Sequence, residues 1–119
     1  MPRVKGGRTA HRRHKKVLAL TKGHRATKHS LYRRAHESML KSLSYAYRHR
    51  RERKGDMRRL WILRVNAASR AQGLTYGQFM DGLRKSGVEI NRKLLADMAV
   101  REPESFANLI TLAKGKVQD

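Results

Sequence analysis

The apolar positions fall into two regimes that meet near Trp61. From Thr9 to about Thr21 a helix is predicted, with Thr9 as its N-cap and Gly23 in the position that stops one. It has almost no apolar face beyond Ala10 and Val17, so it needs a partner to be stable, and nucleic acid is the expected one. From about Ala26 to Lys54 a longer helix is predicted on one narrow stripe, Tyr32, Ala35, Met39, Leu43 and Ala46. Gly55-Asp56 interrupts the pattern and leaves open whether the helix bends or runs through.

Beyond Gly55 the patterning is that of folded protein. A helix containing Trp61 and ending at Gly73 carries two stripes, Trp61, Val65 and Ala68 on one side and Leu60, Leu63, Ala67 and Ala71 on the other, which predicts burial on two sides. As the only Trp, residue 61 is expected to anchor the core. Thr75 followed by Gln78 reads as a capping box, with Leu74 and Phe79 as its hydrophobic staple, and Tyr76, Phe79, Met80 and Leu83 share the buried face. Gly87 ends that helix. Asn91 caps the next, which turns Leu94, Leu95, Met98 and Ala99 inward. A last helix from Pro103 turns Phe106, Leu109, Ile110 and Ala113 inward and stops at Gly115. No strand pattern occurs. The expected fold is all-α: a long basic helical N-terminal extension, residues 1–57, followed by a small compact four-helix domain, residues 58–119.

Charge sharpens the division. Residues 1–60 hold 20 Lys and Arg against Glu37, Glu52 and Asp56, a net of +17, whereas residues 61–119 hold 9 against 6. A block that repels itself so strongly needs an external counter-charge. RNA or DNA phosphate supplies one, with steeply salt-dependent binding. A membrane surface fits poorly, because residues 1–30 lack the broad apolar face such a helix requires. No apolar run approaches a membrane span, and the start lacks the apolar core of a secretory signal. The chain has no Cys, in keeping with a reducing compartment.

Candidate chemistry narrows to binding. His11 and His14 are one helical turn apart, but the cationic field around them opposes a metal ion, and no metal or other cofactor is expected. None of the nine acids forms a pair among apolar residues of the kind pKa tuning needs, and no Gly-rich phosphate loop or nucleophile motif occurs, so no catalytic residues are assigned and the chain is read as a non-enzyme. The segment Tyr45-Ala46-Tyr47-Arg48-His49-Arg50-Arg51 mixes aromatic and guanidinium groups as RNA-binding surfaces do. Tyr45 is favoured for contact, whereas Tyr47, one turn after Leu43, is placed on the helix stripe. Residues 75–86 and 92–101 also admit a helix-turn-helix reading, though the second helix offers few polar groups for base edges.

Several segments, in order, resemble large-subunit ribosomal protein number twenty of bacteria: Met1-Pro2-Arg3-Val4-Lys5, Arg13-His14-Lys15-Lys16, Tyr45-Ala46-Tyr47-Arg48, Arg59-Leu60-Trp61-Ile62, Arg64-Val65-Asn66-Ala67-Ala68, Gly73-Leu74-Thr75-Tyr76, Asn91-Arg92-Lys93 and Leu95-Ala96-Asp97. The resemblance implies a structural constituent of the large ribosomal subunit that binds 23S-type ribosomal RNA directly and acts early in assembly. It implies neighbouring large-subunit ribosomal proteins as partners, no membrane, a place in the cytoplasmic ribosome or an organellar one, and, in some bacteria, repression of its own messenger RNA. His24 and Ala26 stand where that family usually has an aromatic residue and Gly, and Gly55 and Met57 where it usually has a basic and an aromatic residue.

The RNA-binding residues expected on this reading are Arg3, Lys5, Arg8, Arg12, Arg13, Lys15, Lys16, Lys22, Arg25, Lys28, Arg33, Arg34, Tyr45, Arg48, Arg50, Arg51, Arg53, Lys54, Arg58 and Arg59, with Arg64, Arg92 and Lys93 from the compact domain. The extension is expected to order only when RNA is present.

Overall fold

A computed structural model describes residues 1, 3 and 6–117. All regular structure among them is helical: α1 (Arg8–Leu20), a short 3-10 turn (Ala26–His29), α2 (Tyr32–Ala71), α3 (Tyr76–Lys85), α4 (Arg92–Arg101) and α5 (Pro103–Val117). Two compact units share α2, residues 1–51 and residues 52–119.

In the first unit, α1 begins one residue before the expected N-cap. Gly7 holds the N-cap position without a side-chain hydrogen bond, and Thr9 lies inside the first turn. The poor apolar face of α1 has a packing partner within the chain: the His14 ring stacks on Tyr32 of α2 at 3.8 Å, and Val17, Thr21 and Ala35 are buried. Thr21 is fully buried because its hydroxyl donates back to the carbonyls of Val17 and Leu18, so its polar group is satisfied locally. His24 Nδ1 and Ser38 Oγ share a 2.8 Å hydrogen bond from the turn to α2.

The long helix starts at Tyr32, the first residue of its apolar stripe and six residues after the expected start at Ala26. Gly23 and Ala26 both have positive φ, 83° and 56°, which breaks the chain into a turn before Tyr32. Once started, α2 passes through Gly55, where a Cβ would meet nothing within 4 Å. One glycine costs a helix only about 1 kcal/mol, too little to interrupt forty residues.

The second unit is built on the end of α2 and on α3, α4 and α5. Its core joins Val65, Leu74, Phe79, Leu83, Leu95, Ala96, Phe106, Ile110 and Ala113, with the Phe79 and Phe106 rings 5.2 Å apart at its centre. Trp61 is half-buried and packs on the edge of this cluster rather than anchoring it. Only one of the two stripes on this part of α2 is buried. Val65 and Ser69 are fully covered, whereas Leu60 and Ala67 are exposed and Leu63 is 64% exposed. Ser69 tolerates burial because its hydroxyl donates to the Asn66 carbonyl.

Local signals set the ends of these helices. Gly73 (φ 83°) ends α2, with the Gly73 N–H on the Arg70 carbonyl and the Leu74 N–H on that of Ser69. The Thr75 N–H donates to Gln78 Oε1 at 3.0 Å and the Gln78 N–H to Thr75 Oγ1 at 3.4 Å, the reciprocal pair of a capping box. Asn91 Oδ1 accepts from the Leu94 N–H at 2.9 Å. Two expectations fail here. Leu94 is 54% exposed while Ala96 is buried in its stead, and α5 continues through Gly115 to Val117. Gly115 has open space around it and no positive φ, so nothing local compels a stop.

Candidate nucleic-acid interface

Cations cover the outer surface of the first unit because the core takes so little of it. On α1, Arg8, Arg12, Arg13, Lys15 and Lys16 are all exposed, and Val17 is the only residue of that helix fully buried. From Leu40 to Leu60 every residue of α2 except Ala46 is exposed, so Arg48, Arg50, Arg51, Arg53, Lys54, Arg58 and Arg59 point outward around the whole helix. Arg3, Lys22, Arg25, Lys28, Arg33 and Arg34 are exposed as well. Lys5 lies outside the described residues. Few acids offset this charge internally: Glu37 pairs with Arg34 at 3.4 Å and Asp56 with Arg59 at 3.3 Å, both at the surface.

Part of this charge is gathered. A groove of about 450 Å³ in the first unit is lined by Lys28, Arg34, Lys41, Ser38 and Ser42, donors suited to a phosphate, with the Glu37 carboxylate beside Arg34. Tyr45, 40% exposed, has the Arg48 guanidinium 4.6 Å and the Lys41 ammonium 5.4 Å from its ring centroid.

In the second unit a groove of about 310 Å³ brings Arg64 and Lys93 together beside Trp61, with Leu94, Asp97 and Arg101 completing its walls. Arg101 Nε lies 3.0 Å from Asp97 Oδ1 there. Twenty-nine sequence positions separate Arg64 from Lys93, and the packing of α4 beside the end of α2 is what unites them.

Among the described residues, no three His, Asp or Glu side chains are grouped to hold a metal ion. Two histidines lie against tyrosine rings, His14 on Tyr32 and His49 beside Tyr45. No helix among the described residues is long and apolar enough to cross a membrane.

The amino-acid sequence has relatives. The family model described as ribosomal protein L20 matches residues 3–109. The chain belongs to that family. It is 64% identical over 107 residues to a protein of Dehalococcoides mccartyi, covering 90% of each chain. It is 57% identical over 117 residues to one of Natranaerobius thermophilus, covering 98% of this chain and all of the other. A third, from Acidithiobacillus ferrooxidans, is 52% identical over 98% of each chain. All three bear the name large ribosomal subunit protein bL20.

Members of this family are structural ribosomal proteins, not enzymes, and the acids are placed accordingly: Asp81 and Asp97 form surface ion pairs with Lys85 and Arg101. Two adjacent residues that are both expected to bind RNA, Arg92 and Lys93, line different grooves. Arg92 is half-buried, donates from Nε to the Tyr76 hydroxyl at 2.8 Å and lines a groove with Met80, Glu89 and Ile90, whereas Lys93 faces the Trp61 groove. Arg92 thus spends part of its donor set on the fold. Lys41 and Arg101 are not among the residues singled out above for RNA binding, yet Lys41 lines the groove of the first unit and Arg101 that beside Trp61, and sequence reasoning assigned Tyr47 to the stripe. Tyr47 is 58% exposed, because Leu43 on the same stripe is itself uncovered. The only signals for the first two were spacings, Lys41 four before Tyr45 and Arg101 four after Asp97.

Proposed function

We propose that the chain binds large-subunit, 23S-type ribosomal RNA directly, in the cytoplasmic ribosome, and promotes an early step of subunit assembly beside neighbouring large-subunit proteins. The observation that carries this reading is the net charge of +17 in residues 1–60, whose described Lys and Arg side chains are all exposed. Close-packed RNA helices repel one another through their phosphates, and a cationic helix laid between them removes that repulsion while releasing condensed counterions. Residues 1–57 act as the part that penetrates RNA. Residues 58–119 select the site by shape, with Arg64 and Lys93 in the Trp61 groove as their phosphate contacts. An RNA segment of its own message folded like the ribosomal site would be held by the same groups.

A filter-binding titration of the full chain against large-subunit ribosomal RNA fragments and duplex DNA, across salt, tests the reading. One RNA fragment should be preferred well above the salt at which duplex DNA is released. Each phosphate-binding cation replaced by Ala, Arg64→Ala for example, should make the salt slope shallower by about 1. Equal affinity for DNA and RNA, lost together at moderate salt, would reduce the chain to a general polycation.

A further inference from the structure

Two tyrosines stand out on the part of α2 where every side chain but Ala46 is exposed. Tyr45 and Tyr47 are two positions apart in a helix of 3.6 residues per turn, so their side chains leave the axis about 200° apart and only about 3 Å apart along it. Each carries its own cation: Arg48 lies 4.6 Å from the Tyr45 ring centroid, and Arg51 lies 5.0 Å from that of Tyr47. Tyr47 is 58% exposed, and Leu43, one turn before it, is 54% exposed, so a second apolar and aromatic surface lies open opposite the first.

We infer that Tyr45 and Tyr47 are stacking platforms for unpaired RNA bases on opposite faces of the helix, so that one turn of α2 holds two RNA segments at once. The inference rests on the RNA-binding reading above and specifies what that part of the surface recognises. An aromatic ring with a guanidinium beside it offers a base a π-face and offers the adjoining phosphate a donor, the combination that single-stranded sites use. Bases inside a duplex present no free face, so only a bulged, looped or splayed base can be taken. From Lys41 to Arg51 there are four Lys and Arg and no acid, which favours a polyanion over a protein surface. The opposite placement of the rings disfavours a membrane, which requires its apolar groups on one face.

The test uses the full chain and RNA hairpins that are either fully paired or carry one unpaired 2-aminopurine, whose fluorescence is quenched by stacking. With the bulged hairpin in excess, the wild-type chain and the Tyr45→Phe and Tyr47→Phe variants should quench two bases per chain. Tyr45→Leu and Tyr47→Leu should each quench one, and the double variant none. Each Leu variant should bind the bulged hairpin roughly 5- to 150-fold more weakly, the loss of one stacked base, with an unchanged salt slope and unchanged affinity for the paired hairpin. Full quenching by either Leu variant would overturn the inference. So would a loss accompanied by a shallower salt slope, since the ring would then only position its arginine. Failure of the wild-type chain to prefer RNA over duplex DNA would sink the RNA reading itself, a result separate from any Tyr variant.

Discussion

Replacing Gly82 by Ala sets two effects of opposite sign against each other inside α3. Helix propensity alone favours Ala by about 1 kcal/mol. The surroundings oppose it. A Cβ at Gly82 would lie 2.6 Å from the Ala113 carbonyl oxygen, 2.8 Å from its Cβ and 2.9 Å from its Cα. Carbon atoms in contact settle about 3.5–4.0 Å apart, so α5 would have to retreat by roughly 1 Å. The atoms in the way are mostly backbone, with no side-chain rotamer to swing aside. Phe106, Ile110 and Ala113 travel on α5, so a retreat loosens the centre of the core. Overpacking costs about 1–3 kcal/mol, which cancels or exceeds the propensity gain and leaves a net loss of up to about 2 kcal/mol. For a unit of this size that is a fall in Tm of up to roughly 15 °C. Thermal unfolding followed by the fluorescence of Trp61, which packs on this core, reads the second unit without interference from the extension. Gly77→Ala is the internal control: it lies on the same helix with nothing within 4 Å, and it should raise Tm slightly. If Gly82→Ala raised Tm as Gly77→Ala does, the close approach of α3 to α5 would be refuted.

Other substitutions probe the remaining elements. Ala26 sits at φ 56°, where an L side chain costs about 1–2 kcal/mol, so Ala26→Gly should slow amide exchange at Ser30 and Leu31, whose N–H groups donate to the Thr27 carbonyl; faster exchange would contradict this. Gly55→Ala should increase helicity by far-UV circular dichroism, by up to about 1 kcal/mol at that position, and a loss of helicity would mean the helix needs Gly there. Thr75→Ala removes the hydroxyl that accepts from the Gln78 N–H and should cost about 1 kcal/mol in urea unfolding, with an unchanged slope. His14→Ala should loosen α1 from α2, seen as faster amide exchange along α1 with the Tm of the second unit unchanged.

The signals that could be read from sequence were those made between residues three to six apart. The Thr75–Gln78 box, the Asn91 cap and the αL glycines at 73 and 87 are complete within one turn of chain, so the order and most ends of the compact helices followed from residue types alone. The charge division and the exposure of the basic residues followed too, because such a density of Lys and Arg has no interior to enter. What needed tertiary structure were contacts between residues far apart in sequence. Whether Val65 or Leu63 is buried on α2 depends on which face the rest of the unit covers, and periodicity alone treated both stripes alike. That α1 also packs on Tyr32 within the chain depends on a turn with two positive φ angles, and its Ala26 gave no sequence signal for one. The meeting of Arg64 with Lys93 beside Trp61, and of Gly82 with Ala113, exists only once the helices pack. Local hydrogen bonds determine where helices begin and end, and burial shared between distant segments determines which of their faces meet.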